Sequence, residues 1–171
     1  MFWRRKNGGG KVHIIRFHEI TCSSTLQVRL GHEAFEKDWA RRNSLSNLPK
    51  IWGFIEEQSK SDFDKVFVMS DSDTVIASAK NQSFAKRLVL VPGEIIHVDK
   101  FPGRTDVEAC TGMAKLLVEH HILMNCDVFV RGHSGLSVIA SQVRGTDKGL
   151  YCLHGDGNIV PCQRNNFTTF L

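Results

Sequence analysis

One segment combines small polar residues with glycines at the point where a predicted strand gives way to a predicted helix. The apolar run at 128–130 is followed by Arg131-Gly132-His133-Ser134-Gly135-Leu136-Ser137, at the start of a helix that includes 138–143. A helix amino terminus at the carboxyl end of a strand offers N–H groups and the positive end of the helix dipole to an anion. Ser134 and Ser137 add hydroxyls, and the glycines allow a ligand close to the main chain. The segment predicts a binding site for phosphate or another anion.

An arginine closes an earlier predicted strand, 25–30, in Gln27-Val28-Arg29-Leu30-Gly31-His32. A guanidinium at a strand end can bind a phosphate through two parallel hydrogen bonds. The alternative is a surface ion pair of Arg29 with Glu33, Glu36 or Asp38. Arg29 is therefore a second candidate for the anion site.

Two acidic residues follow a third predicted strand, 66–69, in Met69-Ser70-Asp71-Ser72-Asp73. A carboxylate here can accept hydrogen bonds from the N–H groups of a nucleobase or the hydroxyls of a ribose. The competing interpretation is that Asp71 or Asp73 caps the next helix, as Asp commonly does after a strand.

Charged residues and histidines near the anion loop leave two further questions open. Arg131 and His133 lie beside the predicted phosphate position, where Arg131 either neutralises ligand charge or is a solvated loop residue. His120 and His121 are adjacent in a predicted helix, so their side chains point about 100° apart. We therefore expect one of the two to be buried, the other exposed, and no ligand shared between them.

Short apolar strands alternate with helices along the chain. This alternation is typical of a parallel sheet covered by helices on both faces, and it predicts a Rossmann-like α/β fold. The longest helix, 106–124, has an apolar stripe of Ala109, Met113, Leu116, Leu117 and Ile122, and 33–43 is a charged loop or short helix. The remaining predicted strands are 12–17 and 88–91, and the remaining predicted helices are 49–58 and about 73–81.

The predicted organisation is a single binding domain with short flanking segments. We assign 1–24 to an amino-terminal extension with a possible edge strand, 25–162 to the Rossmann-like domain, and 163–171 to a tail.

Five cysteines are many for a cytosolic protein but too few for a disulfide scaffold. Cys152 and Cys162 flank a predicted hairpin that turns at Gly155-Asp156-Gly157-Asn158, which makes a disulfide across the hairpin plausible. Cys110 and Cys126 are expected to be buried thiols. His13, His18 and Cys22 could in principle meet, but no group of cysteines and histidines has the spacing of a zinc site, so no metal site is expected.

Composition excludes several classes of protein. The formal charge of +4 is only modestly basic. The sequence contains no basic stripe interleaved with aromatic residues, so nucleic-acid binding is not predicted. No apolar run approaches the roughly 18 residues of a membrane span. The basic start, Met1-Phe2-Trp3-Arg4-Arg5-Lys6, lacks the apolar stretch of a signal peptide, so any targeting segment is expected outside this chain.

An α/β serine hydrolase is one alternative function, because Gly132-His133-Ser134-Gly135-Leu136 nearly matches the nucleophile elbow Gly-x-Ser-x-Gly. Leu136 replaces the last glycine of that motif. Downstream of Ser134, only Asp147 and His154 remain as the acid and base in the required order.

Taken together, the three strand ends resemble the donor-binding half of the fucosyltransferase superfamily, which includes the α1,6-, α1,2- and protein O-fucosyltransferases. The family strand that ends in His-x-Arg is matched at Arg29 by Gln27-Val28-Arg29, and its Ser-Asp strand end is matched by Ser70-Asp71 and Asp73. Its "Leu-x-x-Cys-Asp-x-x-Val" helix-to-strand segment and Ser-rich loop are similar to 123–130 and 134–137. The likeness covers about 26–145.

This resemblance implies the carboxyl-terminal lobe of a two-lobed glycosyltransferase that transfers fucose from GDP-fucose, with inversion, to a glycan or protein acceptor. It implies that Arg29 grips the diphosphate and that Asp71 or Asp73 reads the guanine or ribose. Ser134, Gly135, Leu136 and Ser137 would hold the phosphates, with no metal ion required. It also implies the Golgi or secretory pathway. Because Gln27 and His32 depart from the family pattern and the acceptor lobe is missing, the alternative is a non-catalytic nucleotide-sugar-binding module.

Overall fold

The computed structural model describes residues 24–30, 43–59, 64–93 and 105–165. The predicted edge strand at 12–17, most of the charged segment at 33–43, and the tail beyond residue 165 lie outside these ranges. So do His13, His18 and Cys22, the three residues weighed above for a zinc site.

Six strands form one sheet. Their bounds are β1 Ser24–Val28, β2 Val66–Ser70, β3 Leu88–Val89, β4 Val128–Arg131, β5 Leu150–Leu153 and β6 Ile159–Pro161. The order across the sheet is β3-β2-β1-β4-β5-β6. The first five strands are parallel and β6 runs antiparallel to β5. The carboxyl ends of β1 to β5 therefore all lie at one edge of the sheet, which we call the carboxyl edge.

Four α-helices connect the strands: α1 Leu48–Gln58, α2 Asp73–Ala79, α3 Asp106–Asn125 and α4 Gly135–Val143. Pro49 lies in the first turn of α1, where its missing N–H costs no intrahelical hydrogen bond. A capping box opens α3, because Thr105 accepts from Glu108 N–H and Glu108 accepts from Thr105 N–H. Short 3-10 helices span Leu45–Asn47 and Ser83–Arg87. Within the described residues, no helix is long and apolar enough to cross a membrane.

Helices cover the sheet on both faces. Leu26, Val28, Val66 and Val68 alternate along the strands and pack with buried residues of α1 and α2. Phe67, Met69 and Phe129 point to the opposite face and pack with α3 and α4. The prediction of a Rossmann-like α/β fold is confirmed.

The structure corrects some predicted details. The strand predicted to reach Leu30 ends at Val28, and the one predicted to reach Val91 ends at Val89. Leu117, assigned to the apolar stripe of α3, is 61% exposed. The face of α3 that is buried instead carries a glycine and a carboxylate among its members, which an apolar pattern does not reveal: Gly112, Leu116, Glu119, Ile122 and Leu123.

The cysteines also differ in part from expectation. The disulfide between Cys152 and Cys162 is confirmed, and it crosses the β5–β6 hairpin. Cys110 is a free thiol, but it is exposed rather than buried. Cys126 is buried as expected, yet it is disulfide-bonded rather than a thiol.

Candidate functional site

The candidate site lies where the strand order reverses. β1 and β4 are neighbours at the centre of the sheet, with Leu26 opposite Val130. The chain continues from β1 towards β2 on one side and from β4 towards β5 on the other. The connections therefore diverge at the carboxyl edge, and such a switch point is the usual ligand position in sheets of this kind. We call this region the switch-point site: the end of β1 with Arg29, the end of β2 with Asp71, and residues 132–137 after β4.

Gly132 brings two of these strand ends into direct contact. A Cβ placed on Gly132 would overlap the main-chain carbonyl of Gln27 and lie 3.0 Å from Gln27 Oε1. Only glycine permits this approach, because every other residue carries that Cβ. Arg29 lies two residues after Gln27, and Ser134 lies two residues after Gly132, so both residues are close in sequence to this contact.

The amino terminus of α4 faces the site through its main chain. Ser134 is the N-cap residue, with φ −149° and ψ 136°, and its side chain makes no capping hydrogen bond. Its own N–H donates to the Gly132 carbonyl at 3.0 Å. The N–H groups of Gly135, Leu136 and Ser137 belong to the first turn of the helix, where no preceding turn supplies carbonyl acceptors. These are the groups that can receive an anion.

The Ser137 hydroxyl is committed to holding the loop. It is fully buried, and it lies 2.7 Å from the Gly132 carbonyl and 2.9 Å from the Ser134 carbonyl, both of which accept its hydrogen. Ser137 can therefore serve an anion through its N–H, while its side chain fixes the geometry of the turn. Ser134 is also largely buried, at 5% exposure.

Arg29 and Asp71 meet across the ends of β1 and β2. Arg29 Nε lies 3.8 Å from Asp71 Oδ2, and both side chains remain partly exposed. The Leu30 N–H donates to Asp71 Oδ1 at 3.0 Å. One carboxylate thus orients both the guanidinium and the chain that follows β1. Glu33, Glu36 and Asp38, the partners considered for Arg29 from sequence, lie outside the described residues.

Asp73 is separated from this pair. It is the exposed first residue of α2, where its charge complements the positive end of the helix dipole. Ser72 is the N-cap of α2 and makes no side-chain cap. Neither acidic residue is the N-cap, so the capping interpretation holds only in the weaker sense that Asp73 stabilises the first turn.

Both predictions for Arg131, a contact to the ligand phosphate and a solvated loop residue, are wrong. It is the last residue of β4, only 1% exposed, rather than part of a solvated loop or a phosphate contact. Its guanidinium donates to Ser141 Oγ at 3.3 Å and to Cys152 Sγ at 3.1 Å. Burial lowers the pKa of Arg131, although a guanidinium stays protonated in proteins. The strand extends one residue beyond the apolar run at 128–130, and the Arg131 side chain packs between the sheet and α4.

His120 is a contributor that sequence reasoning missed. Its Nε2 lies 3.1 Å from the Leu136 carbonyl in the first turn of α4. Because a carbonyl only accepts, Nε2 carries the proton and ties α3 to the start of α4. His120 is half-buried and His121 is exposed, so the predicted contrast between them is confirmed in direction.

The geometry around Ser134 differs from that of a nucleophile elbow. An elbow places its serine on a strained turn, whereas Ser134 has ordinary extended angles, and no described non-glycine residue has a positive φ. Asp147 accepts from the Arg164 N–H at 2.9 Å, and His154 opens the β5–β6 turn with its N–H on Asn158. Nothing in this arrangement supports a serine nucleophile.

Within the four described ranges, no group of three or more His, Cys, Asp or Glu side chains is placed to hold a metal ion.

Comparison with protein-family models, curated proteins and solved structures finds no match to this chain.

Proposed function

We propose that the chain is the nucleotide-sugar-binding domain of an inverting glycosyltransferase, with GDP-fucose as the donor. The observation that carries the proposal is the switch-point site itself. Arg29 and the amino terminus of α4 follow two adjacent parallel strands, and their strand ends touch at Gly132 and Gln27. A diphosphate matches this pairing, because it presents two anionic groups a few ångströms apart.

The chemistry expected of the site is electrostatic. As the bond between the sugar and the diphosphate breaks, negative charge grows on the departing GDP. Arg29 and the N–H groups of Gly135, Leu136 and Ser137 would stabilise that charge without a metal ion. Arg29 is the catalytic residue of the proposal, since it would touch the leaving group.

The acidic residues would have different tasks. Asp71 already holds Arg29 and the Leu30 N–H, so it would position the guanidinium for the diphosphate. Asp71 would also accept a hydrogen bond from the guanine or the ribose. Asp73, exposed on α2, would reach only the part of the ligand that extends towards β2.

The acceptor, a glycan or glycoprotein, would bind outside this domain. Disulfide bonding of Cys126, Cys152 and Cys162 suits an oxidising compartment such as the secretory pathway. The choice of GDP-fucose rests on the sequence resemblance of the three strand ends. The alternative, a non-catalytic nucleotide-sugar-binding module, would bind the donor at the same site but would not transfer the sugar.

Calorimetry with GDP and UDP tests the proposal directly. We expect GDP to bind more tightly than UDP. We expect Arg29→Ala to lose about 2 kcal/mol, roughly thirtyfold in Kd, because a charge-assisted contact to phosphate is removed. Arg164→Ala is the matched control: it also removes one positive charge, but Arg164 pairs with Asp147 in the loop after α4, at the opposite edge of the sheet. Equal GDP affinity in the wild type and Arg29→Ala would remove the assignment.

Release of GDP from GDP-fucose separates the enzyme from the binding module. The chain should be incubated with GDP-fucose, alone and with glycoprotein acceptors, and free GDP measured. Release that depends on Arg29 supports the transferase. Binding of GDP without any release supports the non-catalytic module instead.

A further inference from the structure

The disulfide between Cys152 and Cys162 joins two sulfur atoms in unlike surroundings. Cys152 lies within β5 and is 3% exposed. Cys162 follows β6 at the edge of the sheet and is partly exposed. An external thiolate can therefore reach Cys162 far more readily than Cys152, and access decides which sulfur is attacked.

The buried guanidinium of Arg131 contacts the less accessible of the two sulfur atoms, that of Cys152. Arg131 and Cys152 are directly opposite one another in the β4–β5 register. The guanidinium, itself buried, donates to Cys152 Sγ at 3.1 Å and to Ser141 Oγ at 3.3 Å. A neighbouring guanidinium stabilises a thiolate over a thiol. A cysteine stabilised in this way is the better leaving group in thiol–disulfide exchange.

We propose that Cys162 is a site of covalent exchange with small thiols, and that Cys152 leaves as a thiolate held by Arg131. In the first step the incoming thiolate forms a bond to Cys162 Sγ. The Cys162–Cys152 bond breaks, and its electron pair goes to Cys152 Sγ. The products are a mixed disulfide at Cys162 and a buried thiolate beside the guanidinium.

A second small thiolate completes the exchange. It attacks the sulfur of the small thiol in the mixed disulfide and releases Cys162 as a thiolate, which takes a proton from solvent. In total, two small thiols are oxidised to their disulfide and the protein disulfide is reduced to two cysteines. The exchange removes the covalent tie between β6 and β5, while the new charge on Cys152 is compensated by Arg131.

Mapping the first intermediate tests the direction of attack on the intact chain. A Cys110→Ser variant removes the exposed free thiol, so that it cannot exchange with the others. It should be treated briefly with reduced glutathione, quenched with iodoacetamide and analysed by peptide mass spectrometry. We expect glutathione on Cys162 and the alkyl group on Cys152. Glutathione on Cys152, or equally on both, would overturn the proposal.

Cleavage rates test the role of Arg131. We expect Arg131→Met to slow cleavage by glutathione at neutral pH by about tenfold, since the leaving thiolate loses its cation, and Arg131→Lys to recover part of the rate. Arg144→Met is the matched control, because Arg144 donates to the Cys126 and Lys148 carbonyls and does not contact the disulfide. Unchanged cleavage in Arg131→Met would contradict the proposal. If that variant fails to fold, the mapping experiment decides alone.

Discussion

The two faces of the sheet are built from different kinds of side chain. Among the described residues, the face covered by α1 and α2 is packed by aliphatic and aromatic side chains and buries no charged residue. The face covered by α3 and α4 contains Glu119 and Arg131, which are the two charged residues buried among those the structure describes, together with the hydroxyls of Ser137 and Ser141. The contrast suggests that the first face chiefly stabilises the fold, while the second also sets the position of the α4 amino terminus.

Truncation on the apolar face should give the largest loss of stability. Ile55→Ala removes a fully buried side chain from α1, and we expect a loss of about 3 kcal/mol in the free energy of unfolding, measured with urea. The affinity for GDP should stay unchanged, because α1 contributes no group to the switch-point site. Glu57→Ala, on the exposed side of α1, is the control. A large drop in GDP affinity in Ile55→Ala would contradict the proposal that this face chiefly stabilises the fold.

Gly132→Ala should damage the site and the fold together. The added Cβ would force the loop away from the Gln27 carbonyl, at a cost of about 2 kcal/mol. GDP binding should weaken as well, since the strand ends separate. Gly135→Ala is the matched control for stability, because a Cβ there meets nothing within 4 Å. Equal stability of the two variants would show that the contact at Gly132 is relaxed in solution.

Ser137→Ala should have a smaller effect, of about 1 kcal/mol on stability, because two loop carbonyls lose their buried donor. It should also weaken GDP binding, although the hydroxyl faces the loop, since the turn that presents the N–H groups is loosened. Calorimetry and urea unfolding on the same preparation check both effects. Ser78→Ala, on the α2 side, removes the acceptor of the Trp52 Nε1–H and should lower stability alone.

The smallest expected effect concerns pH. Burial raises the pKa of Glu119 above its ordinary value of 4.5, against the opposing effect of Lys115 at 2.6 Å. A raised pKa in the folded state means that the protonated carboxyl favours folding, and that this contribution is lost as pH rises through the folded pKa. The wild type should therefore lose stability relative to Glu119→Gln as pH rises from 4 to 7. A constant difference across that range would contradict a raised pKa.

The difference between the two faces of the sheet also explains which features could be predicted from the sequence. Apolar strands and a Pro-initiated helix identified most elements, since burial of Val66, Val68 and Ile55 follows directly from their type. The disulfide across the hairpin followed from the turn residues between its cysteines. The inward turn of Arg131, the close approach at Gly132 and the bond from His120 to Leu136 depend on packing between distant segments. Local patterns carry no information about such contacts.

The placement of the candidate residues at strand ends could be predicted from the sequence, but their contacts could not. Arg29, Asp71 and Ser134 follow strands that are neighbours in the sheet, and because these strands are parallel their ends lie at the same edge. The pairing of Asp71 with both Arg29 and the Leu30 N–H depends on the register of β1 against β2, which the residues alone do not fix.

The most direct test of the switch-point site is a backbone amide NMR titration of the chain with GDP. We predict that the largest shifts fall on Arg29, Leu30, Gly135, Leu136 and Ser137, with the loop 145–149 at the opposite edge of the sheet unchanged. Saturable shifts confined to that opposite loop, or none at millimolar GDP, would contradict the account.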